Sequence, residues 1–478
     1  MTVIQPLQKT TWAKAIASPA AEFNSTPLKI TKGEIPAGLR GSLYRNGPAR
    51  LKRGSQSVAH WFDGDGAILA IHFTGTGATG VYRYVQTAGY QAEEKAGKFL
   101  YGGYGMISPL PWWQRFGKSL KNTANTSVLA LPDKLLALWE GAHPYALDLQ
   151  TLETIGSDNL GWLKANWSFS AHPKVDPHTG EIYNFGVTPG KNSTLHVYRC
   201  ARTGKLLKHS AIRIIGVPLI HDFILAGKYL VFFIPPVRLQ LLPVLLQLKS
   251  FSDALTWHPE KGTQIFILER DTLNVVSYGE AEPWYQWHFG NGCTNENSEI
   301  VADVVRYPDF QTNQRLKEIA AGETKTLAVG TLWQLRLDPN SGQLKEIQKV
   351  LDRSCDFPTV AASEIGQTWR YTYLSLHSCQ TDIQRDIFTA IGRFDYHTGT
   401  LTEADLGKNR FPSEPIYAPD ADNPGRGWVL TIVFDGERAK SEVWIYDAER
   451  LDAPPVCCLE LPKVVPFGFH GIWKAEGM

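Results

Sequence analysis

The chain has 478 residues, 48 basic and 47 acidic, with a formal net charge of +1. Its length suffices for a large core in one or several domains, and without a basic excess to neutralise phosphates, nucleic-acid binding is disfavoured. Aromatic residues make up 11% of the chain, including 15 Trp, which points to an all-β body or a wide apolar channel.

Six scattered cysteines with no C-x-x-C pair read as reduced thiols of a cytoplasmic protein. Residues 1–35 read as a leader with one short helix. Met1-Thr2-Val3-Ile4-Gln5-Pro6 has no basic region followed by an apolar run, so no signal peptide is expected. Residues 36–478 read as a single domain. Segment 41–48 reads as a strand running into a turn, and segment 60–71 as a tight turn feeding a strand. Further strands are expected near 135–139, 194–198, 228–233, 264–268, 428–433 and 441–447. Turn phrases separate them: Asp176-Pro177-His178-Thr179-Gly180, Asp338-Pro339-Asn340-Ser341-Gly342 and Asp395-Tyr396-His397-Thr398-Gly399. Short strands between such turns indicate a propeller or a barrel. No repeat is sharp enough to count blades.

Two segments break this rhythm and read as cap-forming insertions, at about 105–125 and 235–256. The first carries Trp112, Trp113 and Phe116 beside Arg115 and Lys118; the second carries Leu239, Leu242, Leu245 and Leu246 between Arg238 and Lys249. One reading is a helical lid packed on the core. The other is a monotopic surface that dips into a membrane to collect a lipophilic substrate. The leucines face more than one side of any helix, which favours the second. A membrane-spanning helix needs ~20 mostly apolar residues, and Pro235, Pro236, Arg238, Pro243 and Lys249 interrupt this stretch.

Of thirteen histidines, four have apolar or aromatic surroundings. They are His172 in Ser170-Ala171-His172-Pro173, His221 in Leu219-Ile220-His221-Asp222-Phe223, His288 in Trp287-His288-Phe289-Gly290, and His470 in Phe467-Gly468-Phe469-His470-Gly471. Chain ends are usually polar and frayed; this one is apolar, so it is expected to be packed into the body. His60, His178 and His397 lie in polar turns and are expected to be solvated. The separations of 49, 67 and 182 residues between the four match no zinc-finger or H-E-x-x-H spacing. Propeller blades would nevertheless bring inner strands to one axis. Four neutral imidazoles suit iron, copper, nickel or zinc. An octahedral ion so held keeps two positions open, as oxygen activation requires, whereas a zinc hydrolase more usually has three ligands plus water. Metal-bound histidines pass their other N–H to carboxylates or carbonyls. Glu140, Asp356 and Glu414 are carboxylates with apolar neighbours; capping or ion pairing at a strand end is the alternative reading of each.

Together these contexts resemble the carotenoid cleavage oxygenases over most of the chain, from about Gly41 to Trp473. The motifs are Leu43-Tyr44-Arg45-Asn46-Gly47-Pro48, Phe62-Asp63-Gly64-Asp65-Gly66, Ala124-Asn125-Thr126, Ala137-Leu138-Trp139-Glu140-Gly141, Ser170-Ala171-His172-Pro173, Ile220-His221-Asp222-Phe223, His288 with Asn291, Ser413-Glu414-Pro415-Ile416, Gly427-Trp428-Val429-Leu430 and Phe469-His470-Gly471. The resemblance implies an all-β, seven-bladed β-propeller with a helical cap over the metal face. It implies one Fe(II) per chain on His172, His221, His288 and His470, with dioxygen as co-substrate and no organic cofactor. Glu140, Asp356 and Glu414 match the family's outer carboxylates. Asp356 stands where the family commonly has Glu, so its hydrogen bond is expected to be longer or water-bridged. Cys293 stands where an aromatic residue is common. Thr126 matches a residue whose methyl group crowds one open iron position.

The implied reaction is dioxygenase cleavage of a conjugated C=C bond to two carbonyl products, the polyene lying in an apolar tunnel. Trp139, Phe289 and Phe469 are candidates for the tunnel wall. The motifs look most like the bacterial, notably cyanobacterial, branch, which favours an apocarotenoid cut at 15–15′ to retinal-like products. Cleavage of bicyclic carotenoids at 9–10, stilbene cleavage, retinyl-ester isomerohydrolysis and a non-catalytic carotenoid-binding propeller are the alternatives. The expected location is cytoplasmic, peripherally on a membrane.

Overall fold

The computed structural model describes residues 10–115 and 120–477. Its strands form seven antiparallel meanders, which are the blades of a propeller. Blade two runs from Ser127–Ala130 through Leu135–Leu138 and Tyr145–Leu147 to Thr154–Ser157. Blades three, four, five and six begin at Lys174–Val175, Ile224–Ala226, Phe289–Thr294 and Cys355–Thr359, each followed by three more strands. Blade seven begins at Arg410–Pro412 and Ile416–Pro419, which both pair with Gly427–Asp435. Blade one is completed from the far end of the chain, because Gly471–Ala475 is its innermost strand and pairs with Arg40–Arg50.

The strand sequences explain the stacking. Tyr229–Ile234 is buried at every position, since neighbouring blades cover both faces, and such strands read as continuous rather than alternating apolar runs. The turns work as their sequences suggest. Asp176 Oδ1 accepts from the N–H groups of His178 and Thr179, both at 2.9 Å, and Gly180 takes φ +69°. Asp395 and Gly399, with φ +67°, repeat the device.

The ring is closed twice by pairing of the two ends of the chain, at Gly471–Ala475 in blade one and at the outer edge of blade seven. Lys29–Gly33 forms the outer edge of blade seven by pairing with Cys457–Glu460, and Phe23–Pro27 forms that of blade one by pairing with Ala78–Tyr84. The stretch expected to be a leader is therefore woven into the propeller from residue 23, and its short helix is the 3-10 turn Thr11–Ile16.

The cap is made chiefly of loops. Its helices are Ala88–Ala96, Trp112–Arg115, Leu241–Leu245 and Gln311–Ile319. The two insertions meet at Tyr104, whose carbonyl accepts from Ser252 N at 2.7 Å and whose ring lies 5.5 Å from Phe251. No helix among the described residues is long and apolar enough to cross a membrane.

Candidate metal centre and its cavity

Each blade brings one distinctive side chain to the axis at or near the start of its inner strand. Blade one brings His470, immediately before Gly471–Ala475; blade two brings Thr126, immediately before Ser127–Ala130. Blades three, four and five bring His172, His221 and His288, just ahead of their first strands. Blade six brings Asp356, inside Cys355–Thr359, and blade seven brings Glu414, just ahead of Ile416–Pro419.

One nitrogen from each of the four histidines lies within 4.8 Å of the others. His172 Nε2 and His221 Nε2 are 3.0 Å apart. The outer nitrogens fix the rings. His288 Nδ1 donates to Asp356 Oδ1 at 2.7 Å, His470 Nδ1 donates to Glu414 Oε1 at 2.9 Å, and His221 Nδ1 abuts Glu140 Oε1. With its proton committed outward, each of these rings turns an Nε2 lone pair inward. His172 differs, its Nδ1 lying 3.9 Å from Asp222 Oδ1.

The electrostatics suit a cation. Burial, then the neighbouring imidazoles, hold His172 well below the ordinary histidine pKa. Burial also lowers His470, against the pull of Glu414. Burial acts against a charged His288 too, but Asp356 outweighs it and raises the ring. Asp356 and Glu414 are held below the usual carboxylate range: burial opposes this, and His288 and His470 respectively overcome it. Counted as ionised, the three outer carboxylates and the guanidinium of Arg45 leave two net negative charges around neutral imidazoles. A divalent ion would cancel them. Converging lone pairs and charge balance both show that these residues fit such an ion, and buried charge without a partner is costly.

Asp356 differs from expectation. Its bond to His288 is direct and short despite the missing methylene. The backbone compensates: Phe357 takes φ +54°, and the ladder register slips between Asp356 and Thr359. His60 also differs. It is fully buried, Nδ1 accepting from Phe62 N at 3.1 Å and Nε2 donating to the Asn313 carbonyl at 3.3 Å. His178 and His397 are exposed.

Three supporting residues escaped the sequence reading. Arg45 holds Glu414. Tyr307 donates its hydroxyl to Asp356 Oδ2 at 2.6 Å. Asp222 accepts from Phe289 N at 3.0 Å and pairs with Lys174 at 2.8 Å, tying blades three, four and five together. Arg45 sat within a quoted motif; nothing around Tyr307 marked it.

A cavity of about 980 Å³, open solvent at its mouth included, reaches His221, His288, His470 and Thr126. Trp61, Phe62, Trp287, Phe357, Phe388 and Phe469 make much of its wall. Asn125 Nδ2 donates to the Phe62 and Gly64 carbonyls at 2.9 and 2.7 Å, so the Phe62-Asp63-Gly64 turn holds the Phe62 ring in place. Of the three wall candidates, Phe469 lies on this cavity. Phe289 packs 5.5 Å from Phe233 in a core between sheets. Trp139 is half-buried and covers Gly141. Trp112, Trp113, Leu242 and Leu245 are 66%, 63%, 66% and 62% exposed. Leu246 is exposed and Leu239 half-buried; Phe116 lies outside the described residues.

Comparison with known proteins agrees with this architecture. The chain is 32% identical over 477 residues to the apocarotenoid-15,15′-oxygenase of Synechocystis, with 97% of this chain and 96% of that protein covered. It is 29% identical to carotenoid 9,10(9′,10′)-cleavage dioxygenase 1 of Arabidopsis thaliana, covering 93% and 86% of the two chains. The crystal structure of the cobalt-substituted Synechocystis oxygenase superposes with a TM-score of 0.89 at 31% identity, covering 98% of this chain and 100% of that one. The family model described as Retinal pigment epithelial membrane protein matches residues 16–475. With four axial histidines in place and a match spanning nearly every blade, the chain belongs to the retinal pigment epithelial membrane protein family, the family of the carotenoid cleavage oxygenases.

Proposed function

We propose that the chain is an Fe(II)-dependent dioxygenase that cleaves one conjugated C=C bond of an apocarotenoid, the 15–15′ bond, to give two carbonyl products. The observation that carries this reading is a four-imidazole site, three of whose rings reach the wall of an aromatic-lined cavity. His172, His221, His288 and His470 would hold the iron, which when bound supplies the activation of dioxygen. Everything else falls to the chain's own groups. Glu140, Asp356 and Glu414 orient the imidazoles. Phe62, Trp287, Phe357 and Phe469 hold a flat polyene against the site and exclude water. Thr126 narrows the space beside the three histidines that reach the cavity. Cleavage at 9–10 is the second reading, favoured by the likeness to the Arabidopsis enzyme.

The exposed Trp112, Trp113, Leu242, Leu245 and Leu246 support a peripheral membrane contact through which a lipophilic substrate is collected. Mass spectrometry after incubating Fe(II)-loaded protein with an apocarotenal in air and mild detergent tests the reaction. Two carbonyl fragments whose masses sum to substrate plus two oxygen atoms are expected, and they locate the bond. An intact apocarotenal beside iron-loaded protein overturns the substrate assignment.

A further inference from the structure

Beyond the residues around the metal site, the cavity wall carries a further polar cluster. Arg315, Ser354, Ser375 and His377 form it. Most of their groups are already used. His377 Nδ1 accepts from Ser354 Oγ at 2.9 Å, while its Nε2 donates to the Asp386 carbonyl at 3.2 Å. The ring therefore carries its proton on Nε2, because a carbonyl can only accept, and the Ser354 proton is committed. The Arg315 guanidinium is buried and held by the backbone carbonyls of Thr326 and Asp386, at 2.9 and 2.5 Å, rather than by a carboxylate.

Ser375 is the exception. Its residue is 1% exposed, it lines the cavity, and its Oγ has no hydrogen-bond partner. Buried hydroxyls are almost always bonded, so an unpaired one on a cavity wall calls for a partner from within the cavity. Its position is informative. Ser375 stands directly opposite Asp356 in the ladder between Cys355–Thr359 and Tyr371–Leu376, one strand outward from the carboxylate that orients His288.

We infer that Ser375 receives the oxygen at one end of the substrate: the cavity takes a polyene that ends in a carbonyl or hydroxyl group, with that end lodged against Ser375 on the blade-six wall. An oxygen there meets a free O–H donor. A hydrocarbon end leaves the hydroxyl unsatisfied. This rests on the proposed function and adds to it a substrate orientation and a residue that selects for it. Ser375 is a specificity residue here and takes no part in bond cleavage.

The test compares two polyenes of equal length, one ending in an aldehyde and one in a hydrocarbon group, on wild-type, Ser375→Ala and Ser375→Thr holoenzyme. Binding is read by quenching of tryptophan fluorescence, and turnover by product analysis. Loss of one neutral hydrogen bond should weaken aldehyde binding and raise its KM roughly threefold to tenfold in Ser375→Ala. The hydrocarbon polyene should bind as to wild type, and Ser375→Thr, which keeps the hydroxyl, should recover aldehyde binding. Equal weakening of both polyenes, or of neither, overturns the inference while leaving the dioxygenase reading intact. Wild-type protein that binds neither polyene overturns both.

Discussion

Arg45 Nη1 donates to Glu414 twice, to its backbone carbonyl at 2.9 Å and to its carboxylate Oε2 at 3.0 Å. The same carboxylate accepts from His470 Nδ1 and from Gly471 N. The arginine therefore fixes a metal-facing histidine through one intermediate. Both side chains are buried, 4% and 5% exposed. Arg45→Met should destabilise the protein by about 3–5 kcal/mol, because it strands a buried carboxylate. Differential scanning calorimetry and iron content measure the effect; unchanged iron occupancy at unchanged Tm would refute the linkage.

Asp356 joins His288 to Tyr307. Asp356→Asn keeps an acceptor but removes the charge, and should lower iron affinity about 10–100-fold, read by competition with a calibrated chelator. Tyr307→Phe should have a smaller effect in the same direction, since the charge remains. Equal affinity for wild type and Asp356→Asn would show that the carboxylate does not tune the site.

Stripping the ion should itself destabilise the fold. Without a cation the converging lone pairs and two net negative charges stay unbalanced. Chelator-treated protein should melt below the iron-loaded form, and the gap should grow with free Fe(II) concentration as a ligand binding the native state demands. A Tm independent of Fe(II) would mean that the four histidines do not hold the ion.

Acid should unfold the protein through two buried histidines outside the metal site. Burial lowers His60 and His377 each to about 3. An unfolded chain takes up these protons near pH 6.5, whereas the folded chain does so only near pH 3. Stability is therefore full above pH 6.5 and falls between these values, by about 1.4 kcal/mol per pH unit for each ring. The hydrogen bond to Asn313 opposes the shift at His60, where Lys317 and Asp253 act in opposite senses; Arg315 reinforces the shift at His377 and the bond to the Asp386 carbonyl opposes it. The double variant His60→Gln with His377→Gln should show a flatter drop in Tm from pH 7 to pH 5 than wild type, both chelator-treated. Parallel profiles would exclude these rings as the acid-sensitive groups.

Leu242 and Leu245 expose most of their surface on the short helix Leu241–Leu245. Changing both to Asp should reduce flotation with anionic liposomes several-fold, without altering cleavage of substrate presented in detergent. Unchanged flotation would move the contact elsewhere.

The four histidines and three carboxylates were legible because polar, ionisable residues stood in apolar surroundings. The walls were less so. Phe289 adjoins His288 in sequence, but in extended backbone successive side chains point to opposite faces, so it enters the core against Phe233 and Trp284. Phe388 reaches the cavity from a segment where nothing local announces it, and neither Phe62, at the head of a quoted motif, nor Phe357, beside Asp356, showed in sequence that its ring would face the cavity. His60 looked like a turn residue and is one. Its burial comes from helix Gln311–Ile319 closing over it, a contact spanning 253 residues. Blades could not be counted from the sequence because their strands range from two residues, Lys174–Val175, to eleven, Arg40–Arg50. Even so, the Asp-initiated turns between them were correctly placed.

The closure of the ring has a bearing on how the metal site is assembled. His470 reaches the axis only when Gly471–Ala475 docks against Arg40–Arg50, with the Phe469 N–H on the Asn46 carbonyl and the Asn46 N–H on the His470 carbonyl, both at 2.9 Å. Until that strand docks, three histidines at most can face the axis, and Glu414 has no fourth ring to orient. Tight metal capture thus waits for Gly471–Ala475 to seat in blade one. Metal loading would therefore report that the ring has closed.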